Sequence, residues 1–187
     1  MGKAVMLSIR PKWCEKIISG EKTIEVRKNR PKLETPFKAY IYCTTGRPDL
    51  NIPISQERLM QDYLNTGSMK SLNCPHGNGK VIGEFTCDRI YGLAPLNHAP
   101  DDVEQQACLT REEIARYLNG VGYGWHISNL KIYDTPKELI EFHTWKKCKS
   151  CSKSGYESTA CIYDENCMVP VAITKAPQSW CYVEAME

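Results

Sequence analysis

Strand-like runs scattered from residue 4 to residue 184 leave this chain few ways to fold. AVMLSI (4–9) reads as a buried strand, and TIEVR (23–27) alternates with period two, Ile24 and Val26 facing one way, Thr23, Glu25 and Arg27 the other. FKAYIYCT (37–44) is a second alternating strand, and KVIGEFTCDRIYGL (80–93) is the longest candidate. WHISNLKIYDT (125–135) and SWCYVE (179–184) complete the set.

Helical signals are fewer. Pro11 suits a first helical turn, Trp13, Cys14, Ile17 and Ile18 form an apolar stripe, and Gly20 is a natural stop. Thr110 with Glu113 is a capping-box signature, predicting a helix over 111–118. A modest helix is expected near 56–64 and a short one in PKELIEF, while 94–108 reads as loop. Dispersed strands with two or three flanking helices imply an α+β chain whose mixed sheet curls into a barrel.

At 187 residues this is about one domain, 1–187, with insertions at 46–79 and 145–170. Formal net charge is only +2, so affinity for an anionic polymer must come from a local patch. No stretch is long and apolar enough to span a bilayer, and MGKAVMLSIRPKW lacks the apolar length of a secretory signal. The expectation is a soluble, cytoplasmic protein with no membrane partner.

Ten cysteines in a reducing compartment ask for a role other than disulfides. Cys14, Cys43, Cys87 and Cys181 sit in apolar patterns and read as small core residues. Cys148, Cys151, Cys161 and Cys167 lie in CKSCSKSGYESTACIYDENC, a stretch with little apolar content of its own. C-x2-C followed by C-x5-C is a candidate four-thiolate structural Zn²⁺ knuckle, although the second spacing is unusual. Cys74 or His76 is an alternative donor, and unpaired surface thiols are the plain alternative.

Between Gly20 and Lys32 the chain places Lys22, Arg27, Lys28, Arg30 and Lys32 among only two acids, Glu21 and Glu25. A solvated strand face would explain this, with Glu25 and Arg27 an exposed pair worth well under ~1 kcal/mol. Alternatively, Arg10, Lys22 and Arg27 converge on an anion-tolerant pocket where helix, turn and strand meet, with Glu25 holding a cation or acting as a base. Trp125, His126, Ser179 and Trp180, with Gln178, are candidate walls, since bases stack on aromatic faces beside cations; the alternative is that Trp125 and Trp180 begin strands and fill the core and that His126 is a hydrogen-bonded structural residue. Gly122 and Gly124 would admit a close backbone approach.

Gly20, Lys22, Glu25 and Arg27 stand at the places of a G-x-K-x-x-E-x-R motif, preceded by Leu7-Ser8-Ile9-Arg10 and followed by Pro11 and Trp13. With KVIGEF, YGWHISNLKIYD and PQSWCYVE downstream, the chain resembles the ASCH family of the PUA-like superfamily, in a bacterial or phage-type form. The resemblance implies a PUA-like β-barrel with a basic cleft for RNA or a modified nucleoside. That cleft would use Ser8, Arg10, Lys22, Arg27 and Lys28. Some small members are amidohydrolases of N4-acetylcytidine that use a Lys matching Lys22, a Thr nucleophile and a Glu. This chain has Glu25 where that Thr aligns, so Glu25 could serve only as a base on water, with Lys22 as oxyanion donor. Glu104 and Glu113 are candidates for the further acid. Three functions therefore compete: an RNA- or nucleoside-binding module, an amidohydrolase, and a zinc-stabilised interaction protein.

Overall fold

The scattered strands pair into three sheets in a computed structural model that describes residues 2–67, 74–93, 98–148 and 168–186. The strands are β1 (Lys3–Ile9), β2 (Ile24–Arg27), β3 (Phe37–Cys43), β4 (Val81–Cys87), β5 (Ile90–Gly92), β6 (Tyr123–His126), β7 (Ser128–Lys137), β8 (His143–Lys147), β9 (Met168–Ala172) and β10 (Trp180–Glu184). The α-helices are α1 (Pro11–Ile18), α2 (Gln56–Thr66), α3 (Val103–Ala107) and α4 (Arg111–Leu118). A five-stranded sheet runs β10-β1-β3-β4-β7, a three-stranded sheet runs β2-β6-β5, and β8 pairs with β9. Within the first sheet β1 and β3 are parallel and the other pairings antiparallel. The architecture is thus α+β with mixed sheets, and no closed sheet forms among the described residues.

Burial explains why AVMLSI is a continuous apolar run. Val5, Leu7 and Ile9 enter a core shared with Cys14, Ile17, Phe85 and Trp125, while Ala4 and Met6 enter a second core with Tyr40, Phe142 and Val183. A strand covered on both faces shows no polar alternation. The same holds for β3, whose Tyr40 and Tyr42 are buried on the face opposite Phe37, Ala39 and Ile41.

The longest expected strand is two. KVIGEFTCDRIYGL breaks at Asp88-Arg89, so β4 belongs to the large sheet and β5 to the small one. The 125–135 run likewise divides at Ile127 into β6 and β7, which return between the same sheets. His126 and Asp88, 2.6 Å apart, bind the two crossings together.

Helix α1 starts on Pro11 and ends at Ser19, with Gly20 at φ +78°. That conformation is the one a glycine adopts without strain. The capping box of α4 is present, and α2 is capped by Ser55. PKELIEF gives only a 3-10 turn over Leu139–Glu141, because β7 runs on to Lys137. Helix α3 lies inside the stretch expected to be loop. It pays for no long repeat of its own: Val103 and Ala107 are held by Ile24, Val26, Ile114 and Leu118.

Candidate functional site

Strand β2 faces two environments, as its period requires. Ile24 and Val26 pack on α3 and α4, and Glu25 and Arg27 turn toward a cleft. The cleft has a volume of about 580 Å³, within the ~300–1,000 Å³ of small-molecule sites. It opens beyond the carboxyl ends of the parallel pair β1 and β3. Ser8, Ile9 and Arg10 come from one strand end and Tyr42, Thr44 and Thr45 from the other. Open parallel sheets place ligands at the same position. Trp13 of α1, Tyr117 of α4 and Gln178 before β10 also line it.

The floor is an ion network. Lys22 is 2 % exposed, and Glu25 and Arg27 are each 6 % exposed. This overturns the solvated-face reading of that strand. The Lys22 ammonium donates to the carbonyls of Ile24 and Ala107, both at 2.8 Å, and lies 3.4 Å from Glu25 Oε2. The other Glu25 oxygen takes an Arg27 guanidinium nitrogen at 2.9 Å. Arg27 also donates to the carbonyl of Ser8 at 2.8 Å and to the carbonyl and hydroxyl of Ser179 at 3.2 Å. Among the described residues, Arg27 Nε is buried without a hydrogen-bond partner. Strands β1 and β2 lie in different sheets, so no strand pairing brings Arg10, Lys22 and Arg27 together. The Arg27 side chain spans the gap instead.

Above this floor the groups are aromatic and cationic. Arg10 is exposed. Lys12 and Lys22 lie 4.8 and 5.2 Å from the Trp13 ring centre. Lys28 is exposed, 5.6 Å from the ring of Tyr117. Burial, followed by the neighbouring Cys43 and Glu138, raises the Tyr42 phenol above its usual value. Below the cleft, burial and then Cys43 raise the Cys14 thiol.

Other expected wall residues lie elsewhere. Trp125 is fully buried, 5.8 Å edge-on to Phe37 and 6.0 Å from Trp180, so it is core and not cleft wall. Trp180 is half-buried between Trp125 and Tyr182. His126 faces Asp88. Burial pushes the Asp88 carboxyl up, but hydrogen bonds from His126 and its own backbone, with the His126 charge, leave it below its usual value. Ser179 reaches the site only through Arg27. Gly122 and Gly124 admit the side chains of Leu118 and Ile24, not a ligand. Glu113 is spent on the α4 cap, and Glu104 binds the backbone and side chain of Arg111. Neither lines the cleft.

Trp13, Tyr42, Tyr117, Thr44 and Thr45 were not singled out as ligand groups. Tyr117 left one trace in the sequence: it is an aromatic residue beside the Ile114/Leu118 stripe of α4, more exposed than packing on that stripe requires. Of the candidate zinc ligands, Cys148 directly follows β8, whereas Cys151, Cys161 and Cys167 lie outside the described residues. Among the described residues no group of three or more His, Cys, Asp or Glu is placed to hold a metal. No described helix is long and apolar enough to cross a membrane.

A family model for the ASCH domain matches residues 7–142. Solved structures similar to this chain include the ASCH protein from Zymomonas mobilis, at 17% identity and TM-score 0.47, covering 73% of each chain. Two single-site mutants of that protein are similar at 17% identity and TM-score 0.48, covering 73% of this chain and 76% or 74% of theirs. No curated protein sequence matches.

Proposed function

The chain belongs to the ASCH domain family, and from that premise we propose that its cleft binds single-stranded RNA, taking up a base or a modified nucleoside. One observation carries the reading. The cleft joins the aromatic residues Trp13, Tyr42 and Tyr117 to an exposed cation, Arg10, over a floor where Lys22 and Arg27 share one carboxylate, Glu25. Unstacked bases are held by such faces beside cations, at about 1–3 kcal/mol per stacked base. Thr44, Thr45 and Gln178 supply hydrogen-bonding groups for a base edge. In this reading the two larger sheets, joined by the β4–β5 and β6–β7 crossings, are the halves of a PUA-like barrel, and the protein works in the cytoplasm.

The test is titration of a fluorescein-labelled, mixed-sequence ten-nucleotide RNA. Binding that weakens with salt, and weakens at least tenfold in Tyr117→Ala (about 1.4 kcal/mol), supports the reading. Affinity unaffected by Tyr117→Ala, Trp13→Ala and Arg10→Ala together contradicts it.

A second reading, hydrolysis of N4-acylated cytidine or a related nucleoside, is favoured by the Lys22–Glu25 pair at the cleft floor. It is weakened by the same geometry. An ammonium has three N–H donors, and two of those of Lys22 go to backbone carbonyls while Glu25 stands 3.4 Å away as its counter-charge. An oxyanion would have to compete with that carboxylate for the third. Turnover of N4-acetylcytidine that disappears in Glu25→Gln would reinstate this reading.

A structural zinc ion held by Cys148, Cys151, Cys161 and Cys167 is also proposed. The β8–β9 ladder ends at Lys147 opposite Met168, so the cysteine-rich segment leaves and returns at one ladder end. Stoichiometric zinc by elemental analysis, lost in Cys148→Ser, is the expected result. Zinc-free protein after growth in zinc would oppose it.

A further inference from the structure

The cations that follow β2 are not part of the floor. Lys28, Arg30 and Lys32 are exposed, and none has a carboxylate partner among the described residues, whereas Lys22 and Arg27 have Glu25. The segment carrying them is held in place. Pro31 is buried, and the Lys32 backbone N–H donates to the Tyr182 hydroxyl at 2.7 Å. The side chains are placed as well: Lys28 lies 5.6 Å from the ring of Tyr117, and Arg30 lies 5.5 Å from the ring of Tyr123. Tyr117 itself lines the cleft. Exposed cations without carboxylate partners among the described residues therefore follow Arg27, the last cleft residue of β2, and Lys28 stands beside Tyr117 of the cleft wall.

A free nucleoside would fill the cleft and leave these cations unused. We infer that the ligand is a polymer: a single RNA strand that leaves the cleft along residues 28–32, with backbone phosphates held by Lys28 and Arg30. The inference rests on the reading of the cleft as a single-stranded RNA site and adds the path the strand takes beyond it. Cation-lined grooves with aromatic faces are how single strands are tracked without reading sequence. The β2–β3 segment supplies the cations, and α4 and β6 supply the rings beside them, Tyr117 and Tyr123.

The experiment compares the labelled ten-nucleotide RNA with the four free ribonucleosides, on wild type and on Lys28→Ala/Arg30→Ala. A control, Lys131→Ala/Lys137→Ala, removes the same charge from β7, at the other edge of the large sheet from β10. The expected result has three parts. The RNA binds at least tenfold more tightly than any nucleoside, and the 28/30 variant loses most of that advantage. Its salt dependence falls by about 0.7 in log K per log salt for each phosphate given up. The control matches wild type. A 28/30 variant that keeps the RNA affinity and salt slope of wild type would overturn the strand path and leave the cleft reading standing. So would an RNA that binds no better than a nucleoside. Failure of wild type to bind any of these probes would overturn both.

Discussion

Two groups of cations, a few residues apart in the chain, meet opposite fates. Lys22 and Arg27 are buried at the cleft floor, shared between Glu25 and backbone carbonyls. Arg10 at the cleft and Lys28 and Arg30 just beyond β2 are exposed and lack any carboxylate partner among the described residues. The difference teaches what a charge burst in a sequence can mean. The floor cations neutralise a buried carboxylate and tie β2 to β1, α3 and the segment before β10. The exposed cations are the ones whose charge is left for something that arrives from solution.

The contrast is broken most severely by Glu25→Gln. It leaves two buried cations without their counter-charge, a change expected to cost about 3–5 kcal/mol, read as a lower denaturant midpoint. Retention of full stability would mean that the floor is not the structural unit described. Trp125→Ala is expected to cost a comparable ~3–5 kcal/mol by emptying the main core. The folded protein should bind RNA as wild type does. A selective loss of binding would return Trp125 to the ligand site.

Arg10→Ala sharpens the contrast from the other side. Stability should stay within about 0.5 kcal/mol of wild type, while RNA binding weakens several-fold and the salt slope falls by about 0.7. The smallest effect is expected at the sheet crossing. The Asp88 carboxyl is held below its usual value in the fold. Its contribution is therefore complete above the unfolded carboxylate range, near pH 3.9, and is lost as pH falls through the folded value. Asp88→Asn should lower stability at neutral pH and flatten its decline in acid, measured by denaturation across that range. An unchanged acid limb would show that the His126–Asp88 contact carries no linkage.

Much of this was legible in the sequence because it is local. The α1 stop at Gly20, the α4 capping box and the opposed faces of β2 follow from neighbouring residues. So does the family, carried by residues 20–27 and the runs around them. What escaped depends on residues far apart. Period two puts Glu25 and Arg27 on one face, but not whether that face meets water. Its polar partners come from Ser8 and Ser179, far away in the chain. The switch of sheets at Asp88 was hidden in a run that looked continuous. Helix α3 is too short to announce itself without the packing that holds it. Trp125 offered an aromatic ring next to glycines, which suits a ligand wall and a tight core equally.

Photocrosslinking tests the central claim most directly, with a 4-thiouridine-substituted ten-nucleotide RNA and the adducts mapped by mass spectrometry. The account predicts adducts on the cleft and its mouth: Trp13, Tyr117 and the segment 28–32. Adducts confined to β7 or to the α2 surface, with the cleft unmarked, would contradict it.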